Sequence, residues 1–140
     1  MTKKVHLSGF SFGTLGKTKF FMYVCTSVDD NITNTRMNRQ IFDKIQLLKR
    51  RILPDDKVIL FGSQARGDAR KDSDWDLLLI LDKKGKHGWD DFDNYAYPFA
   101  EMGWENGVAI NTLIYTQEEW DKGYFFPFYK NVMNEGISIN

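Results

Sequence analysis

Apolar residues recur along this chain in two rhythms, and each change of rhythm marks a new element. Ile41, Ile45, Leu48 and Ile52 fall at helical spacing within residues 38–53, with Lys44, Lys49, Arg50 and Arg51 on the other side. Asn38 is placed to cap that helix and Pro54 to end it. Lys57-Val-Ile-Leu-Phe-Gly62 is a short apolar run closed by glycine, the pattern of a buried strand. Residues 63–67 read as the first turn of a short helix, and 66–73 as a polar loop. Residues 75–81 are the most apolar run in the chain and predict a central strand, followed by a solvated turn at 83–88. Phe92, Tyr95, Phe99 and Met102 recur at steps of three or four and predict a helix over 90–104. Residues 108–115 are rich in β-branched side chains and predict a third strand. Thr116-Gln-Glu-Glu119 has the form of a capping box and opens a helix with Trp120 on its apolar face. A last short helix over 129–134 runs up to Gly136.

This order predicts an α+β fold: a small mixed sheet of three to four strands flanked by helices. Residues 1–36 differ in texture, being rich in Gly, Ser, Thr and Asn. We divide the chain there. Residues 1–36 read as a leader or appendage that need not belong to the native chain, with Met37 as an alternative start. Residues 37–140 read as the domain.

Charge and composition remove some functions from consideration. Lys plus Arg and Asp plus Glu balance at 19 each, so no overall basic field would hold a long polyanion, and nucleic acid is not an expected partner. The aromatic content of 15% is better spent filling the core of a short chain than stacking bases. The single cysteine, Cys25, forbids an internal disulfide and suits a reducing, cytoplasmic setting. No apolar run approaches the length of a membrane span, so no membrane partner is expected. His6 and His87 are isolated and read as surface residues. The aromatic run at 124–129 reads as a dock for the C-terminus.

The chemistry lies in Phe61-Gly-Ser-Gln-Ala-Arg-Gly-Asp-Ala-Arg-Lys-Asp-Ser-Asp-Trp-Asp-Leu77. Asp74 and Asp76 are two apart at the mouth of a strand, so both carboxylates face one side while Trp75 faces the other. Two such charges repel, and a divalent cation relieves the repulsion. Mg²⁺ prefers oxygen ligands and is often held by one or two carboxylates together with substrate phosphates. Two such ions, roughly 3.5–4 Å apart, would clamp both oxygens of a phosphoryl displacement. Gly62 lets bare amides approach an anion at the start of the short helix, Ser63 adds a hydroxyl, and Arg66 lies one turn on, a planar cation within reach of the same phosphates.

Gly62, Ser63, Ala65, Arg66, Gly67, Ser73, Asp74, Asp76 and Leu77, with ten residues separating Ser63 from Asp74, resemble the signature of the minimal nucleotidyltransferases of the DNA polymerase β superfamily. The resemblance runs from about Met37 to the C-terminus. It implies Mg²⁺-dependent transfer of a nucleoside monophosphate, AMP foremost, from an NTP such as ATP to a protein or small-molecule hydroxyl. It implies that Gly62 and Ser63 hold the triphosphate and that Asp74 and Asp76 are the catalytic metal ligands. Free domains of this kind often serve as the antitoxin partner of a HEPN-domain toxin, which makes such a protein a candidate partner. One departure stands out. The family's third carboxylate belongs on the next strand, and residues 108–115 contain no Asp or Glu. Asn111 is the best match to that position. Glu101 or Glu105 are the other candidates, though solvent is the expected place for both. The alternative reading is therefore a nucleotide-binding or protein-interaction module that has lost turnover.

Overall fold

The computed structural model describes residues 37–140, and the leader at 1–36 lies outside the described residues. The first helix, α1 (Arg39–Ile52), starts where the sequence says it should, because the Asn38 side chain accepts hydrogen bonds from the amides of Gln40 and Ile41. Strand β1 (Lys57–Phe61) follows, then the five-residue helix α2 (Gly62–Arg66) and strand β2 (Trp75–Leu81). The next helical stretch is α3 (Trp89–Asp91), a π-helical turn (Phe92–Ala96) and α4 (Tyr97–Glu105). Strand β3 (Ile110–Thr116), helices α5 (Gln117–Lys122) and α6 (Pro127–Glu135), and strand β4 (Ile137–Ile139) complete the fold.

The four strands form one mixed sheet in the order β3-β2-β1-β4. β1 runs antiparallel to both β2 and β4, and β2 runs parallel to β3. The apolar run Leu77–Leu81 of β2 is explained by cover on both faces. Trp75, Leu77, Leu79 and Leu81 point to one side and pack with Ile41 and Ile45 of α1 and Phe99 of α4. Leu78 and Ile80 point to the other and pack with Trp120 of α5 and Val132 of α6. Asp76 shares this second parity, so it projects on the α5–α6 side. Among the described residues no helix is long and apolar enough to cross a membrane.

Four features depart from the sequence reading. β4 was not anticipated: its three residues form a strand only because Leu60 and Val58 of β1 pair with Ile137 and Ile139. Gly136 permits that turn, since a Cβ there would stand 2.6 Å from Ile59 Cγ2. The helix expected over 90–104 carries the π turn. Lys49 is buried rather than solvated, with its ammonium donating to the Pro54 carbonyl at 3.1 Å. The aromatic run at 124–129 divides: Phe128 and Tyr129 pack on Trp120, while Tyr124, Phe125 and Phe126 remain exposed.

Candidate active site

Two strand registers assemble the site. The antiparallel pairing of β1 with β2 sets Phe61 opposite Asp76, so the next residue, Gly62, turns over that acid. Gly62 has φ +74°, a left-handed conformation that side chains resist, and a Cβ there would lie 2.6 Å from Asp76 Oδ2. Glycine is thus required for both its backbone and its lack of bulk. Ser63 follows in the first turn of α2, whose start has no side-chain cap. Gly67, also left-handed, ends this helix by donating its amide to the Ser63 carbonyl.

The loop between α2 and β2 is tied down at its far end. Gln64 is buried and donates through Nε2 to the Ser73 carbonyl at 3.2 Å, and Ser73 Oγ accepts from the Arg70 amide at 2.8 Å. These bonds deliver Asp74 to the start of β2, where the Trp75 amide donates to the Ala109 carbonyl. Gln64 was not singled out in the sequence; the only hint is a polar residue in a helix too short to hide it from the sheet.

The parallel register of β2 with β3 then sets Asn111 beside Asp76. Asn111 Nδ2 donates to Asp74 Oδ2 at 3.2 Å and to Asp76 Oδ1 at 3.1 Å. One amide therefore joins both carboxylates, and the two acids converge as alternation along the strand requires. The donor set is all oxygen, from two carboxylates, and Asp74 is exposed to solvent. It fits a hard divalent cation such as Mg²⁺.

The structure thus brings Gly62, Asp74, Asp76 and Asn111 together, with Ser63 one residue on. Arg66 turns elsewhere: its Nε lies 3.3 Å from Asp68 Oδ2 and its Nη1 3.5 Å from Glu135 Oε2. The hydrogen bond and charge of Asp68, then those of Glu135, hold the guanidinium pKa above its usual value. Glu101 and Glu105 are exposed and form no ion pair among the described residues.

A strand, a glycine turn into a short helix and an acid pair on the adjoining strand define the nucleotidyltransferase class of fold and site. The chain belongs to the nucleotidyltransferase domain family, whose model matches residues 43–138, and it is a nucleotidyltransferase enzyme. It is 36% identical over 80 residues to "Putative protein adenylyltransferase" of Methanocaldococcus jannaschii, covering 57% of this chain and 73% of that protein. It is 33% identical over 67 residues to the terminal uridylyltransferase of Schizosaccharomyces pombe, covering 48% of this chain and only 16% of that protein. A toxin–antitoxin crystal structure with AMP-PNP aligns at a TM-score of 0.48 and 16% identity, covering 71% of this chain and 72% of that one.

Proposed function

We propose that this domain transfers AMP from Mg²⁺-bound ATP to a hydroxyl of an acceptor protein, with Asp74 and Asp76 as the metal ligands. The observation that carries this reading is the convergence of both carboxylates beside the Gly62 turn. A protein acceptor is supported by the name of the Methanocaldococcus relative. A HEPN-type toxin is the acceptor suggested by the resemblance to free minimal domains.

In this scheme Gly62 and Ser63 hold the β- and γ-phosphates through their amides and the serine hydroxyl. The acceptor oxygen forms a bond to the α-phosphorus, the bond from that phosphorus to the bridging oxygen breaks, and pyrophosphate leaves. The acceptor proton passes to water, because a neutral amide at Asn111 is no base. Mg²⁺, when bound, supplies charge neutralisation at the phosphates and between the two acids. The protein's own contribution is alignment, an effect that supplies roughly 7–11 kcal/mol in well-oriented reactions. Arg66 joins the phosphates by leaving Glu135, an exposed partner that holds it weakly.

Incubating the protein with Mg²⁺ and α-labelled ATP, with and without cell lysate, tests the scheme. Label on an acceptor that is absent with Asp76→Ala supports it. Tight ATP binding with no acceptor labelled in any lysate would instead favour a binding module, a reading that Asn111 in place of a carboxylate specifically recommends.

A further inference from the structure

Two carboxylates held side by side need a positive charge or a donor between them, or their repulsion drives them apart. Among the described residues neither Asp74 nor Asp76 forms an ion pair. Asn111 alone spans them, and the way it does so divides their oxygens. Its amide takes Asp74 Oδ2 and Asp76 Oδ1. Asp76 Oδ2 is left facing the Gly62 turn, where a Cβ would lie only 2.6 Å away. Asp74 Oδ1 has no hydrogen bond among the described residues.

Resting on the proposed reading of this pair as a Mg²⁺ site, we propose that Asn111 makes it a one-cation site. One oxygen of each acid is committed to the amide, and the other oxygen of each, without a hydrogen bond among the described residues, is left for a single ion. A second ion would have to share oxygens already bonded to Nδ2, or gain a third carboxylate. No group of three or more His, Cys, Asp or Glu side chains suited to a metal exists among the described residues. Turning the Asn111 side chain to offer its carbonyl oxygen would remove the donor that holds the acids together. Its backbone is fixed beside Asp76 by the parallel register, which keeps the amide within reach of both acids. Asn111 is thus a positioning residue: it preorganises the pair for one ion and closes the place of a second.

Mn²⁺ titration followed by electron paramagnetic resonance, in the presence of a non-hydrolysable ATP analogue, counts the ions directly. The expected result is one Mn²⁺ per protein–nucleotide complex for the wild type and two for Asn111→Asp, which removes the donor and adds a carboxylate. Asn111→Ala is expected to keep the fold and one ion, with Mn²⁺ affinity weakened about 10–100-fold, the usual effect of losing a group that orients metal ligands. Two ions in the wild type would overturn the inference and leave the proposed function standing. So would a count of one in a folded Asn111→Asp protein, or wild-type affinity in Asn111→Ala. No Mn²⁺ with the wild-type complex would overturn the proposed function as well.

Discussion

The two ends of the β2–β3 pair both carry acids, yet they treat them differently. At the end beyond Leu81 and Thr116, Asp91 and Glu119 are satisfied from within the chain. Asp91 accepts from Lys83 Nζ at 2.6 Å and from the Gly88 amide at 2.7 Å. These bonds, led by that of Lys83, hold its carboxyl below the usual carboxylate range. Glu119 accepts from the Thr116 amide at 2.9 Å and meets His87 Nδ1 at 2.8 Å. Burial pushes the Glu119 pKa up, but the His87 ring and the backbone amides of Thr116 and His87 outweigh it and hold it at about 2. Thr116 completes this clip by donating its hydroxyl to the Gly85 carbonyl. At the opposite end Asp74 and Asp76 have one shared amide, and Asp74 is exposed. Acids that close loops carry their partners with them; the acids proposed to handle a ligand are held in place with oxygens to spare.

The comparison breaks most visibly if the open pair is dispensable. Asp76→Ala should lower AMP transfer by about 10²–10³-fold, the scale seen when a group stabilising transition-state charge is lost. Thermal denaturation should change little, because Asp76 forms no ion pair among the described residues and its removal relieves its repulsion with Asp74. Next in size is Gly62→Ala. The left-handed backbone and the approach to Asp76 Oδ2 should together cost about 2 kcal/mol of stability, read from urea denaturation, and ATP binding should fall with it.

The closed end should behave in the opposite way. Glu119→Gln should cost about 1–2 kcal/mol at pH 7 while leaving transfer unchanged. The sign in pH follows from a folded pKa of about 2 against an ordinary 4.5. The Glu119 contribution is complete above pH 4.5 and fades as pH falls towards 2. Denaturation curves for wild type and variant should therefore converge over that window; a constant gap would separate the effect from ionisation. The smallest effect is expected for Arg66→Ala. Its ion pairs with Asp68 and Glu135 are exposed, so the melting temperature should hold. ATP affinity should nonetheless fall about threefold to tenfold if the guanidinium turns to the phosphates. Unchanged affinity would confine Arg66 to its present partners.

What the sequence disclosed was local. The Asn38 cap, the glycine closing β1, the two-sided apolar run of β2 and the Thr116–Glu119 capping box each depend on neighbours within four residues. What it withheld depends on pairing across the chain. β4 exists through β1, and the Arg66–Glu135 contact joins α2 to α6. Lys49 is buried by the turn its own ammonium ties at Pro54. Asn111 was legible as a missing carboxylate, but its hold on both acids follows from a parallel register that no local pattern encodes. Gln64 went unread for the same reason: its partner, the Ser73 carbonyl, lies beyond the loop it secures.

The central claim is that Asp74 and Asp76 form a cation-dependent nucleotide site with the Gly62 turn. Equilibrium binding of labelled ATP, with Mg²⁺ present and then chelated, tests it most directly for wild type and Asp74→Ala/Asp76→Ala. Saturable binding that requires Mg²⁺ is expected in the wild type, and its loss is expected in the double variant. Equal binding with the metal chelated, or retained by the folded double variant, would contradict it.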